Sequence, residues 1–164
     1  MKKQLIYGLF FCCGFVFSNA ANSVEWVVDV TVPVLDVEPY HRPYVAIWLE
    51  TEKRKGVETL SVWYGDEQEE WLKDMRQWWR KLGRSKPFDQ VSGATRKPGN
   101  YQIHWQSNSL AAGTYYLCVE AAREAGGREL LRQKIQIKDV AQPQTFSLAG
   151  QRELGLVTIT LRDK

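Results

Sequence analysis

The sequence predicts a mostly β domain, an antiparallel two-layer sandwich of immunoglobulin or fibronectin type with about seven strands and one inserted amphipathic helix. Three observations carry that expectation. Short runs rich in Val, Ile, Thr, Tyr and Trp alternate with period two and are separated by Gly- or Pro-bearing turns. Sustained helical spacing is confined to one stretch, residues 68–82. The chain has 164 residues with seven Trp and seven Tyr, which suits one domain with a sizeable core.

The first strand is expected over Val24 to Val37, where β-branched residues alternate; Pro33 inside it argues for an edge or a bulge. Tyr44 to Glu50 and Val57 to Tyr64 read as a hairpin closed by the charged, glycine-bearing turn at Lys53 to Gly56, with Trp48 and Trp63 expected to pack between layers. Asp66 and Glu69 form a capping box, after which Trp71, Leu72, Met75, Trp78, Trp79 and Leu82 recur at helical spacing until Gly83. That aromatic stripe is read as core, because an amphipathic helix docks only through an apolar face. Residues 83–99 follow as a long polar and basic loop, a length usually reserved for function. Strands are then expected at Tyr101 to Gln106 and Thr114 to Ala122. Another, Leu130 to Lys138, pairs back after Gly126-Gly127, and the last two are Gln144 to Leu148 and Leu154 to Arg162.

The N-terminus has the three parts of a secretory leader: Lys2 and Lys3, an apolar run from Leu5 to Phe17, and Ser18-Asn19-Ala20 before a cleavage point. The expected organisation is therefore a cleaved signal over 1–20 and a single domain over 21–164, exported to the periplasm. No later stretch is long and apolar enough to span a bilayer, so stable membrane insertion is not expected. Removing Lys2 and Lys3 lowers the formal charge from +3 to +1, which is not the charge of a nucleic-acid binder. Cys12 and Cys13 fall in the leader, without the small-residue context of a lipidated cysteine. Cys118 is left alone on a core-facing strand position and reads as a small buried hydrophobe. His41 and His104 have no neighbours at metal-ligand spacing, and no nucleophile elbow is present.

The stretch that looks chosen for chemistry is Asp89-Gln90-Val91-Ser92-Gly93-Ala94-Thr95-Arg96-Lys97-Pro98-Gly99. Gly93 and Ala94 leave the backbone beside Thr95 unshielded, and Pro98-Gly99 punctuates the chain before the next strand, which places the Thr95 hydroxyl on a loop. Turn chemistry alone also places Ser and Thr in such loops, where their hydroxyls cap backbone groups. The segment resembles the acceptor site at which a flavin transferase joins FMN, through a phosphoester, to a threonine of extracytoplasmic electron carriers. The matching positions are Asp89, Ser92, Gly93, Ala94 and Thr95, with Gln90 where the pattern has a small residue. That resemblance implies a flavin cofactor on Thr95, with the cations of Arg96 and Lys97 balancing the phosphodiester. Asp89 then either orients the loop, helps hold the transferase's metal, or accepts backbone hydrogen bonds. Tyr101 and Trp105 on the next strand either flank the ring or face the core.

Two further resemblances bear on the fold. Tyr101 to Val119 is similar to a strand pair of the immunoglobulin-like module in flagellar hook-capping proteins. Most of the chain after the leader resembles a family of predicted bacterial periplasmic proteins of unknown function. It does so through Arg42 to Trp48, Trp71-Leu72 with Trp78, Val91 to Gly99, and Val119 to Arg128. Membership implies a flavin-transfer and membrane-redox context. Glu120, Arg123, Glu124 and Arg128 bracket the Gly-Gly turn and read as solvated cross-strand ion pairs, or alternatively as a recognition patch.

These readings make the chain an extracytoplasmic electron carrier rather than a stand-alone enzyme. Its partners are then a flavin transferase and a membrane redox protein. The competing expectation is a cofactor-free adaptor that binds another periplasmic protein through a sheet edge or loops.

Overall fold

The computed structural model describes residues 24–65, 69–107, 110–137 and 142–163, the side chains of 69 and 163 excepted. The expected leader over 1–20, with Cys12 and Cys13, lies outside the described residues. So do Asp66 and residue 68 of the expected helix and Lys138 at the end of the strand expected over Leu130 to Lys138. Nine strands are described: β1 (Val24–Val32), β2 (Tyr44–Thr51), β3 (Gly56–Trp63), β4 (Ser92–Gly93), β5 (Gly99–Ser107), β6 (Gly113–Ala122), β7 (Arg128–Ile137), β8 (Gln144–Ala149) and β9 (Leu156–Asp163). They form two sheets, one ordered β5-β1-β9-β8 and the other β4-β3-β2-β6-β7. All pairings are antiparallel except β3 with β4.

The sheets face each other across a core built from Trp26, Val28, Val30, Val157 and Ile159 on one side and Ile47, Leu49, Trp63, Leu117 and Val119 on the other. The first sheet is apolar mainly on its inner face. On its outer face Glu25 accepts from Arg162 at 2.7 Å and lies 3.1 Å from His104, and Gln102 donates to Asp29 at 2.8 Å. The Arg162 and His104 contacts hold the Glu25 carboxyl down to about 2. This is the inside-out alternation expected of a half-exposed sheet.

The second sheet is covered on both faces. Its outer face, with Tyr44, Ala46, Trp48, Val62, Cys118 and Ala122, packs under Leu72, Met75, Trp78 and Leu82. That is why β2 reads as the nearly unbroken apolar run Tyr-Val-Ala-Ile-Trp-Leu rather than as an alternation. A β-bulge between Ile47 and Trp48 shifts the register, and Trp48 and Trp63 end in different layers, Trp63 between the sheets and Trp48 beneath the helical cover. The expected packing of both between layers is corrected accordingly.

The cover is not the single amphipathic helix expected over 68–82. It is a 3-10 segment (Glu69–Asp74), one α turn (Arg76–Trp78) and a π turn (Trp79–Gly83). The break falls at Met75, whose ψ of 68° is not helical. Immediately after it the buried Glu120 carboxylate accepts the backbone N–H groups of Gln77, at 3.0 Å, and Trp78, at 2.9 Å, so a side chain of the sheet caps a fresh helical start. Gly83 closes the π turn because a Cβ there would meet the rings of Trp79 and Trp78 at 2.7 and 2.8 Å. The apolar stripe is core as read, with Leu72, Met75, Trp78 and Leu82 buried.

Two other expectations change. β1 ends at Val32, so Pro33 lies just beyond a strand that is hydrogen-bonded on both sides, where a missing N–H would break a ladder. β5 and β6 do not pair; they belong to different sheets, and the chain crosses between layers after Ser107. The β2/β3 hairpin and the β6/β7 pairing are present as expected.

A polar clasp joins the sheets at one end. Glu129 of β7 accepts four backbone N–H bonds from Gln151, Arg152, Glu153 and Leu154, the loop between β8 and β9, at 2.7 to 3.0 Å. From that loop Glu153 reaches back to accept from Arg123 at 2.9 Å and from the Gly127 N–H at 2.8 Å. Burial pushes the Glu129 carboxyl up, but the four N–H bonds outweigh it and leave it below the ordinary 4.5. Its stabilisation is therefore fully present above that value and is lost as pH falls through the depressed folded value. Glu129→Ala should lower unfolding stability by about 3 kcal/mol in urea melts at neutral pH, because several donors lose a charged acceptor. The variant should also show a flatter loss of stability below pH 4.5 than the parent chain.

Candidate functional site

The Thr95 loop is placed by the helical cover. Parallel neighbours need a connection of about a dozen residues or more, and residues 64–91 supply it. The described part, 69–91, passes over the outer face of the second sheet and returns the chain to lay β4 beside β3. Val62 then pairs with Ser92 and Trp63 with Gly93, and the Tyr64 N–H donates to the Gly93 carbonyl at 2.9 Å. Upstream, a 3-10 turn (Asp89–Val91) ends with the Ser92 hydroxyl donating to the Asp89 carbonyl at 2.9 Å. Phe88 before it packs edge-on against Trp78 and Tyr64, with centroids 5.1 and 6.1 Å apart.

Residues 94–97 have no regular structure. Ala94, Arg96 and Lys97 are exposed and Thr95 is half-buried. Among the described residues the Thr95 hydroxyl has no hydrogen-bond partner, whereas Ser92 is committed to its own turn. Downstream, the Arg96 guanidinium lies 5.4 Å from the Trp63 ring and 5.3 Å from the Tyr101 ring, which are themselves edge-to-face at 5.6 Å. The Tyr101 hydroxyl donates to the Lys97 carbonyl at 2.8 Å. Thr95 thus sits between two fixed shoulders, the β4 pairing before it and the Arg96-Lys97 clip after it.

The seven residues singled out in the sequence are brought together only in part. Ser92, Gly93, Ala94, Thr95, Arg96 and Lys97 form one continuous feature, while Asp89 serves the turn through its backbone carbonyl and its side chain is exposed. Gly93 is not required by crowding, since a Cβ there would meet only the tip of Arg96, at 4.0 Å. Tyr101, Ile103 and Trp105 share the inner face of β5, and Trp105 packs on Trp26 with centroids 6.1 Å apart, about four strand residues from the loop. Tyr101 alone of the two aromatic candidates touches the loop.

Next to the loop lies a shallow depression of about 320 Å³ lined by Val34, Leu35, Tyr40, Arg42, Lys97 and Pro98. Sequence reading did not connect its first four residues with Thr95. The available signal was a run of apolar residues, Val34, Leu35 and Val37, in a Pro-bounded connection where a solvated loop would be polar.

The residues around Gly126-Gly127 also differ in part from expectation. Glu120 is fully buried, and Arg123 and Glu153 pair at 2.9 Å with both side chains nearly buried, whereas Arg128 and Glu124 stay partly in solvent as read. Burial pushes the Glu120 carboxyl up, against the pull of the Trp78 and Gln77 N–H groups and of Arg128 and Arg132. Arg128 lies 3.4 Å from Glu120, and Glu124 lies 3.4 Å from His41. Cys118 is buried as read, and burial, with Glu50 nearby, pushes its thiol up to about 12, which leaves no thiolate for chemistry.

The family whose description is "predicted periplasmic protein (DUF2271)" matches residues 25–156, from β1 to the first residue of β9. The chain belongs to that family. No curated protein matches it. The family's matched span takes in every element that builds the Thr95 loop and the clasp. No helix among the described residues is long and apolar enough to cross a membrane.

The Arg96 clip is testable without any cofactor. Arg96→Ala should cost about 1 kcal/mol of unfolding stability through loss of the cation–π contacts. It should also speed amide exchange at Thr95 and Lys97, measured by hydrogen–deuterium exchange, while β2 and β6 stay protected.

Proposed function

We propose that this chain is a periplasmic flavoprotein electron carrier on an immunoglobulin-like scaffold, with FMN covalently attached to Thr95 by a separate flavin transferase. The observation that carries the reading is the presentation of Thr95. Its hydroxyl lies in an irregular segment without a protein partner, between exposed neighbours, and within a sequence similar to a flavin acceptor site.

The phosphate of FMN has no leaving group of its own, so the donor must be an activated form such as the dinucleotide FAD. Thr95 Oγ1 forms the new O–P bond, the phosphoanhydride bond breaks, AMP leaves, and the hydroxyl proton passes to a base of the transferase. The product is a phosphodiester with one negative charge. Lys97 is exposed two residues away, and Arg96, although stacked on Trp63 and Tyr101, keeps its charge at the surface to offset the phosphate. The tethered isoalloxazine ring supplies the redox chemistry. The chain's part is to hold that ring where a membrane redox protein can reach it.

A second reading is a cofactor-free module that binds another periplasmic protein. It is favoured by Trp71, a large aromatic left 36% exposed at the rim of a depression of about 600 Å³ bounded also by Arg76 and Arg128.

One experiment separates the two. The full chain co-expressed with a flavin transferase should be yellow, and its peptide containing Thr95 should carry an FMN-sized mass increment that Thr95→Val removes without altering the fold. A colourless parent protein without the increment would reject the flavoprotein reading. If a periplasmic protein co-purified with it and was lost in Trp71→Ala, the second reading would stand.

A further inference from the structure

We infer that the depression bounded by Val34, Leu35, Tyr40, Arg42, Lys97 and Pro98 is the seat of the isoalloxazine ring, and that Arg42 and Lys97 set its reduction potential. The inference rests on the Thr95 reading and adds to it a place and an electrostatic role for the ring.

Four observations converge on it. The depression is continuous with the acceptor loop, because Lys97 and Pro98 form part of its wall. Consecutive Cα atoms are 3.8 Å apart, so the Thr95 and Lys97 Cα atoms are separated by at most about 7.6 Å. The phosphate and ribityl chain of FMN bridge such a gap without moving the backbone. The volume of about 320 Å³ suits a flat three-ring system with one edge open to solvent.

The lining matches the ring's chemistry. Val34 in the lining is 85% exposed, the most exposed of the large apolar side chains that stand out on the described surface. A planar aromatic laid on Leu35, Pro98 and the Tyr40 ring would remove part of that surface from water. The Tyr40 hydroxyl is buried and has no hydrogen-bond partner among the described residues, so the ring of Tyr40, not its polar tip, is what it offers to the depression. Burial pushes its ionisation up, and the phenol stays neutral at working pH.

The cations then have a role. When a reduced protein donor passes two electrons and one proton to the ring, one negative charge is left on its pyrimidine edge. Arg42 and Lys97 stand on opposite chain segments at the rim and are not neutralised there by an ion pair among the described residues. Charge complementarity of this kind favours the reduced form and raises the potential.

The test uses the full chain carrying FMN, with the mass increment on the Thr95 peptide checked first in every sample. Arg42→Gln should keep the increment and lower the midpoint potential by about 30 mV, the shift for a tenfold weaker preference for the two-electron-reduced ring. Tyr40→Leu should keep the increment and raise flavin fluorescence severalfold, because a tyrosine ring against isoalloxazine quenches it. Increment present with potential and fluorescence both unchanged would overturn the seat while leaving the attachment intact. So would a variant that alters only the rate of exchange with a protein redox partner, since the patch would then receive that partner. Absence of the increment in the parent chain would overturn the attachment and the seat together.

Discussion

Burying the second sheet on both faces is the constraint from which the rest of the architecture follows. A sheet so enclosed needs a cover, and the chain makes it from residues 69–83, at the expense of a regular helix. Each fully buried Trp, Leu or Met side chain contributes about 1.5–3 kcal/mol by leaving water. Trp48, Trp78, Leu72, Met75 and Leu82 together outweigh the loss of a few i→i−4 hydrogen bonds where the segment breaks. Several polar groups trapped beneath the cover are engaged, although the buried Arg132 Nε finds no hydrogen-bond partner among the described residues. Glu120 takes the N–H groups freed by the break, the Trp78 indole donates to Thr59 at 3.1 Å, and Glu50 holds Trp48, Arg54 and Lys81. Burial works against the Glu50 charge, but those donors outweigh it and keep its carboxyl below the ordinary range.

The same cover explains how a surface threonine is held still. A parallel strand beside β3 requires a long crossover, and the only chain available for it is the segment that has just roofed the sheet. β4 is two residues long, yet it fixes the level at which the loop leaves the sheet, and the Arg96 contact with Trp63 fixes where it goes next. Trp63 belongs to the core between the sheets, so the loop is referenced to the least deformable part of the molecule. Attachment of a cofactor to such a loop would preserve its orientation better than attachment to a freely moving one, since a rigid support limits what the tethered ring must lose in entropy on docking.

Much of this was legible in the sequence, and the parts that were not share one cause. Period-two runs located the strands because their inner faces alternate, and β2/β3 and β6/β7 pair across turns that carry glycine. The helical spacing of Leu72, Met75, Trp78 and Leu82 correctly marked a buried stripe, but spacing reports which side chains share a face and not whether the backbone between them is continuous. The break at Met75 depends on Glu120, forty-three positions beyond Gln77, and no local pattern reveals it. Glu120 and Arg123 looked like surface charges because charge normally avoids the interior, and only the fold shows that backbone N–H groups and Glu153 await them. The Thr95 motif was readable because it is contiguous. Its neighbours Tyr40 and Arg42 were not, because they arrive from a different connection.

The end of the molecule at which these features meet is a single place. β1 and β3 finish there and β2, β5, β7 and β9 begin there, as their registers require: Val32 opposes Gly99, Val30 opposes Val157, Val45 opposes Trp63, and Tyr44 and Arg128 both oppose Ala122. The connection of residues 33–43 crosses this end and links the two halves of it. His41 lies 3.4 Å from Glu124 beside the clasp, while Leu35 and Arg42 face Lys97 and Pro98 beside the Thr95 loop. Arg42, Lys97 and Pro98 line one depression at this end, and Ala122 to Arg128 line another with Trp71, Asp74 and Arg76 of the helical cover, which Glu120 holds through the Gln77 and Trp78 N–H groups. Walls that are far apart in sequence are thus placed relative to one another by the two sheets, whose registers bring their ends to this one side of the molecule.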